Sequence, residues 1–275
     1  MACFVTKGMV KKMIPKVIHY CWFGGKPLPD DVKKYIATWE KYCPDYAIKQ
    51  WNENNFDVTE NQYCQEAYKA KKWAFVSDYA RLKVLYKYGG IYMDTDVEVV
   101  KNLDPLLQYR AFSGFESDRA IPTGTMGSVK GNEWIKVLLQ DYEERRFLKS
   151  DGSYDLTTNV VRITEITKKE YGIHLNNTLQ YFGDQMVLFP FDYLCAKSFE
   201  IGEIIQTNHT FTIHHFTGSW LSIEERRYLE IVQNYEAKWP EFFQYPAGKC
   251  FIKTLAAFRA GGLPLLKCKL SHMTK

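Results

Sequence analysis

Asp94 and Asp96, separated by Thr95 at the end of the short apolar run Gly90-Ile91-Tyr92-Met93, are the side chains best spaced to hold a divalent cation. A strand of period 2 would turn both carboxylates to one face, about 7 Å apart at the backbone, with Thr95 pointing away. Hard cations such as Mg²⁺ or Mn²⁺ take oxygen ligands and keep positions open for phosphate oxygens. The pair therefore suits a diphosphate leaving group. Two acidic residues at a strand end can equally be solvated and inert, and it is their neighbours that favour the first reading.

From Ala67 to Tyr88 the chain has no proline or glycine and stops at Gly89-Gly90, which predicts a helix with a glycine stop. Trp73, Phe75, Val76, Tyr79, Leu82, Val84, Leu85 and Tyr86 spread around it, so much of the helix is expected to be buried. Asp78 and Arg81 on that helix then need partners. One turn apart, they can satisfy each other as an ion pair, contributing roughly 0.2–0.5 kcal/mol. They can also offer a carboxylate acceptor and guanidinium donors to sugar hydroxyls.

The run Thr212-Ile213-His214-His215-Phe216-Thr217-Gly218-Ser219-Trp220 holds adjacent histidines. A strand points them to opposite faces, so only one can join the two aspartates; the alternative is an ordinary hydrogen-bonded strand-end histidine. The turn that follows could lay the Ser219 hydroxyl and the Trp220 indole N–H over phosphates. Asp184, in Gly183-Asp184-Gln185, is a candidate carboxylate on the acceptor side.

Elements must position these residues. Val17 to Phe23 is a near-continuous apolar run closed by Gly24-Gly25, as in a central parallel strand. Trp22 at its end can stack on a nucleobase or fill the core, and His19 reads as a hydrogen-bonded strand histidine. A helix begins at Pro29 and ends before Pro44, and Tyr46 to Trp51 is a second strand. Asn52 after it can reach a base or ribose, or serve the turn. This alternation of strand and helix predicts a nucleotide-binding type of sheet. Further strands are expected at 111–115 and within 181–190, and helices at 132–147, 155–171 and 223–239.

A basic and apolar tail, 241–275, either lies on an anionic membrane or packs on the domain. The expected organisation is thus a lead at 1–13, one domain over 14–240, and the tail.

With 275 residues, 46% of them hydrophobic, the chain can bury a sizeable core. Its net charge of +4 is mild and no basic run is dense, which argues against nucleic acid as a partner. Seven scattered cysteines with no C-x-x-C pair argue against structural zinc or a disulfide framework, and for a reducing cytoplasm. No apolar stretch suits a signal peptide or a membrane span of roughly 18–20 residues. A soluble protein, at most peripheral on the inner face of the cytoplasmic membrane, is the expectation.

Ile14-Pro15-Lys16-Val17-Ile18-His19 with Trp22-Phe23-Gly24-Gly25, then Ser77-Asp78-Tyr79-Ala80-Arg81 with Tyr88-Gly89-Gly90-Ile91-Tyr92-Met93-Asp94-Thr95-Asp96, resembles the DXD sugar-binding glycosyltransferases of family 32. These include yeast initiating mannosyltransferases and bacterial capsular polysaccharide enzymes, and are related to the clostridial glucosylating toxins. The resemblance covers roughly Ile14 to Trp220.

It implies an α/β GT-A fold, a Rossmann-like mixed sheet flanked by helices, and retaining, metal-dependent transfer from a nucleotide sugar. By position, Trp22 is similar to the tryptophan that stacks on the base, and Asp78 and Arg81 to the pair holding the donor sugar. Asp94 and Asp96 match the Mn²⁺ or Mg²⁺ motif, and Ser219 and Trp220 the phosphate contact. His215, in the order His-x-x-Gly, is similar to the metal histidine of glycogenin-type transferases.

A UDP-sugar such as UDP-galactose is the expected donor. The expected acceptor is a glycan, lipid-linked in one variant, of bacterial capsule or surface polysaccharide synthesis. A haloacid-dehalogenase type of phosphatase and a non-catalytic nucleotide-sugar sensor are the alternatives.

Overall fold

The computed structural model describes residues 13–121, 124–199, 202–218 and 223–273. The chain divides into two compact units, Met1–Ala196 with Gln206–His214, and Lys197–Ile205 with His215–Lys275. The division at His214/His215 falls ahead of the expected boundary at residue 240.

The first unit runs β1 (Val17–Cys21), α1 (Asp30–Tyr42), β2 (Ala47–Trp51), α2 (Gln62–Lys69), α3 (Trp73–Tyr88), β3 (Gly90–Met93), β4 (Val97–Val99), β5 (Ala111–Gly114), β6 (Thr125–Ser128), α4 (Glu133–Glu144), α5 (Asn159–Tyr171), β7 (Gln180–Phe182), β8 (Met186–Phe189), α6 (Phe191–Leu194) and β9 (Thr212–His214). Seven strands form a mixed sheet in the order β2-β1-β3-β6-β5-β8-β7, and β4 pairs with β9 in a second, two-stranded sheet. This is the α/β, Rossmann-like mixed sheet flanked by helices that the resemblance implied.

The pleat divides the core between the two faces of the large sheet. Ile91 and Met93 pack with Ile18, Trp39 and Val97 on one side, while Tyr92 packs with Val76, Ala80, Trp134 and Ile163 on the other. Strand β1 is parallel to β2 and β3. β6 runs antiparallel to both β3 and β5, and β8 is parallel to β5. The carboxyl ends of β1, β2, β3, β5 and β8 therefore share one end of the sheet, where ligands of open α/β sheets bind.

Two expectations are corrected. The helix expected over 67–88 is two helices. α2 closes with Lys71 in the left-handed region (φ 56°). There the Lys72 amide bonds the Ala67 carbonyl and the Lys71 amide the Tyr68 carbonyl, a Schellman closure in which a lysine holds the place usual for glycine. The small-residue segment at Gly124–Gly127 includes strand β6, pressed so closely on its neighbour that a Cβ on Gly127 would lie 2.1 Å from the Phe112 ring.

His19 is a structural residue. Buried in β1, its Nε2–H donates to the Gly89 carbonyl at 2.9 Å and its Nδ1 accepts from the Trp51 indole at 3.1 Å. Burial pushes its pKa down to about 4 against the help of the Gly89 carbonyl, so the ring is neutral near neutral pH.

The second unit contains α7 (Ile223–Lys238), α8 (Pro240–Gln244) and α9 (Pro246–Met273), the last bent at Gly262. Tyr228 and Val232 of α7 pack against Ile252, Ala256, Ala257 and Ala260 of α9.

Candidate active site

Strand β3 ends at Met93, and Asp94-Thr95-Asp96 is a turn, closed by the Val97 amide on the Asp94 carbonyl at 3.1 Å. The carboxylates therefore converge through the turn rather than through strand alternation. The Asp94 amide bonds the Gly124 carbonyl at 2.8 Å. Beyond Asp96, α1 clamps β4: the Trp39 indole donates to the Val97 carbonyl at 2.7 Å and the Val99 amide to the Thr38 hydroxyl at 2.9 Å. The turn is thus held at both ends.

Arg81 is the hub. It is buried, and its guanidinium reaches Asp78 at 2.9 Å and Asp94 at 3.3 Å while lying over the Tyr92 ring, 4.6 Å from its centroid. The Tyr92 hydroxyl donates to Asp94 at 3.0 Å. Burial opposes the Arg81 charge, but Asp94, Tyr92 and Asp78 more than offset it and hold its pKa above the ordinary arginine value. Burial pushes Asp78 up to about 6, against the Arg81 charge that works to lower it. Burial also raises Asp94, opposed by Arg81 and His214. The pair expected from i,i+3 spacing is present, and the structure adds Asp94 to it.

The histidine beside the aspartates is His214. Strand pairing sets Val97 opposite His214, and the His214 Nε2 lies 3.2 Å from Asp96. Burial works to lower the His214 pKa, and Asp96 outweighs it, so the pKa lies well above the ordinary histidine value. His215 was the expected partner; its side chain is set one residue further along, in the second unit, where its carbonyl accepts from Lys197 at 3.0 Å.

Among the described residues, one ligand atom each from Asp94, Asp96 and His214 lies within 4.8 Å of the others. Two carboxylates and an imidazole form a donor set that fits Mn²⁺ or Mg²⁺.

The nucleotide-side expectations divide. Trp22 follows β1 at the same sheet end, half-buried, with its indole N–H donating to the Lys26 carbonyl at 2.7 Å. Asn52 follows β2 at that end too, but its side chain accepts from the Asn54 amide at 2.9 Å and thereby serves the turn. Asp184 is corrected by topology: exposed in the turn between antiparallel β7 and β8, it lies at the opposite end of the sheet. Ser219 and Trp220 lie outside the described residues.

Four residues of the site were not singled out from sequence. Tyr92 orients Asp94, as above. Gly124 makes room for the histidine, since a Cβ there would lie 2.7 Å from the His214 ring. Asn159, buried at the start of α5, has its amide close enough to Asp78 to favour the ionised form, though not in good hydrogen-bonding geometry. Glu116, just past β5, is near enough to His214 and Asp94 to be influenced by both, and burial raises its pKa. Helix N-terminal signals and glycine spacing hint at the second and third; nothing local marks the others.

Residues 29–113 match the family described as glycosyltransferase sugar-binding region containing DXD motif. The chain is 34% identical over 140 residues to inositol phosphoceramide mannosyltransferase 3 of Schizosaccharomyces pombe, covering 46% of this chain and 37% of that protein. It is 28% identical over 171 residues to an uncharacterized glycosyltransferase of Acanthamoeba polyphaga mimivirus, covering 57% of this chain and 67% of the viral protein. Among solved structures, the PaToxG glycosyltransferase is similar with a TM-score of 0.44 and 20% identity, over 58% of this chain and 70% of that one. The chain thus spans little more than a third of the length of its fission-yeast relative. The matched segment runs from α1 through α3 and the Asp94–Asp96 turn into β5, and this stretch of the chain is what is similar to the sugar-binding region containing the DXD motif.

Proposed function

We propose that this chain is a metal-dependent glycosyltransferase that moves a hexosyl group, with retention, from a nucleotide diphosphate sugar to a hydroxyl of a glycan acceptor. The observation that carries the proposal is the joining of two functions in one place. Asp94, Asp96 and His214 are arranged for a cation, and Arg81 links Asp94 to the buried Asp78.

A Mn²⁺ or Mg²⁺ ion held by Asp94, Asp96 and His214 would neutralise the diphosphate as the glycosidic bond breaks. Arg81 fixes the orientation of both Asp94 and Asp78. Asp78 then offers a desolvated carboxyl group to a sugar hydroxyl, and the Asn159 amide beside it offers a donor and an acceptor. Both Asp78 and Asp94 are engaged by the Arg81 guanidinium. This favours front-side displacement, with the acceptor proton passing to the departing phosphate, over attack by either carboxylate.

UDP-galactose is the donor to try first, with Trp22 as the stacking surface for the base. A surface-polysaccharide glycan is the acceptor suggested by the sequence resemblance. The fission-yeast relative is named for mannose and for inositol phosphoceramide, which adds a mannosyl donor and a lipid-borne acceptor to the set.

The test is a panel of nucleotide sugars with Mn²⁺, read as release of the nucleoside diphosphate, with Asp96→Asn alongside. Turnover of one donor, abolished by a chelator and by the substitution, supports the reading. A chain that binds and turns over none of them is not a transferase. Calorimetric Mn²⁺ binding to wild type and Asp96→Asn checks the cation set without activity.

A further inference from the structure

Glu116 stands two residues past β5, at the sheet end where the cation set lies. The Phe115 amide before it still bonds the Phe189 carbonyl of β8 at 2.9 Å, and the Phe115 ring packs in the same cluster as Tyr92. The pleat therefore turns Glu116 to the other face, where Val97 of β4 is packed and β9 pairs with β4. His214 and Asp94 are its charged neighbours there. The loop that carries it is fixed: the Glu116 amide bonds the Ala120 carbonyl at 2.9 Å, and the Ile121 amide bonds the Thr164 hydroxyl at 3.0 Å. Thr164 belongs to α5, the helix that brings Asn159 to Asp78.

The other carboxylates of the site are already engaged. Asp78 and Asp94 are held by Arg81, and Asp96 faces His214. Glu116 is half-buried, and among the described residues its carboxylate has no hydrogen-bond or ion-pair partner. It also lies outside the set whose ligand atoms are within 4.8 Å of one another, so it is not arranged as a fourth cation ligand. A half-buried carboxylate with its acceptor positions open is completed by a hydroxyl donor.

Sheet order says which hydroxyl. Trp22 follows β1, Asp94 and Asp96 follow β3, and Glu116 follows β5, in the strand order β1-β3-β6-β5. At the ordinary strand spacing β5 is about 10 Å from β3, on the side away from β1. A donor with its base at Trp22 and its diphosphate on the cation set runs across β1 and β3, which leaves the β5 side for the attacking molecule.

We propose that the Glu116 carboxylate accepts a hydrogen bond from the attacking hydroxyl of the acceptor and aims its oxygen at the anomeric carbon. The proposal rests on the transferase reading above. In the step, the hydroxyl oxygen forms the new bond to the anomeric carbon as the bond from that carbon to the phosphate oxygen breaks. The hydroxyl proton passes to the departing phosphate oxygen, and Glu116 is left unchanged.

Water takes the acceptor's place in donor hydrolysis, so the test needs no identified acceptor. Release of nucleoside diphosphate from UDP-galactose, UDP-glucose and GDP-mannose with Mn²⁺ is followed for wild type, Glu116→Ala and Glu116→Gln. Calorimetric Mn²⁺ binding and melting temperatures are measured on the same preparations. On the donor that wild type turns over, Glu116→Ala should lower kcat by about ten- to hundredfold, as for a lost hydrogen bond to a charged group. Donor KM and Mn²⁺ affinity should stay within about twofold, since neither donor nor cation binding uses this carboxylate. Glu116→Gln, whose amide oxygen accepts without charge, should give an intermediate rate, and it carries the test if the alanine variant is unfolded.

An unchanged kcat in the folded variants overturns the proposal and leaves the transferase standing. A fall in Mn²⁺ affinity as large as the fall in kcat would place Glu116 on the cation and overturns it too. So does a hexosyl adduct on Glu116 of the wild type, which would make the residue a nucleophile. A wild type that turns over no donor removes the transferase, and this assignment with it.

Discussion

At the scale of single residues, the His214 Nε2 lies 3.2 Å from Asp96, among the atoms that would hold the cation. Because Asp96 holds the His214 pKa well above its ordinary value, against the opposing effect of burial, the ring is protonated near neutral pH. A cation needs the neutral imidazole. Mn²⁺ binding should therefore release a proton and weaken as pH falls, which shows as a buffer-dependent enthalpy when titrations in buffers of different ionisation heat are compared. His214→Ala should weaken Mn²⁺ at least about tenfold, while His215→Ala should leave it unchanged; the reverse pattern would restore His215 as the ligand.

The residue scale also separates what spacing can show from what it cannot. Asp78 and Arg81 are one turn apart on a helix, so their meeting is local and was readable. Asn159 comes to Asp78 from 81 positions away along the chain through the packing of α5, and no local pattern announces that. Asn159→Ala should raise the donor KM or lower kcat by about tenfold, comparable to a lost hydrogen bond to a ligand group, with little change in melting temperature.

Among the elements, the ends of helices and strands decide the site. Lys71 holds the left-handed position that closes α2, at a conformational cost that glycine avoids. Lys71→Gly should stabilise the chain by roughly 0.5–1 kcal/mol, read from chemical denaturation. A loss of stability would mean that the lysine side chain contributes more than its backbone costs.

Gly124 is more constrained, since its carbonyl holds the Asp94 amide and its missing side chain admits the His214 ring. Gly124→Ala should weaken Mn²⁺ binding more than it lowers the melting temperature. The helix before the carboxylates and the glycine stop were legible because their signals lie within a few residues of one another. Strand β6 was not, because Thr125-Met126-Gly127-Ser128 is a strand on account of its neighbours, the Phe112 ring above all.

For the molecule as a whole, stability should depend on pH through His19. An unfolded histidine titrates near 6.5, whereas burial in β1 pushes His19 down to about 4. The folded chain thus binds fewer protons than the unfolded one between those values. Stability is fully present above about pH 6.5 and declines as pH falls through that window towards 4, by about 3 kcal/mol from this residue. Melting temperatures of wild type and His19→Gln between pH 4 and pH 7 check this: the variant should be less stable at neutral pH and show a shallower slope. The same slope in both would remove His19 as the cause.

The sequence by itself determined the residue types that carry the proposed chemistry and their local spacing: Asp94 and Asp96 after an apolar run, Asp78 and Arg81 a turn apart, Trp22 at a strand end, and an alternation of elements that yields an α/β sheet. These follow from helical and strand periodicity, which act within a few residues. Tertiary structure alone decided that His214 faces Asp96, because that depends on the register of β9 against β4. It alone removed Asp184 from the site, because strand order and direction put its turn at the far end of the sheet. It also settled that α9 both packs on α7 and exposes an aromatic face, since a helix has more than one side and the sequence does not say which side a neighbour will cover.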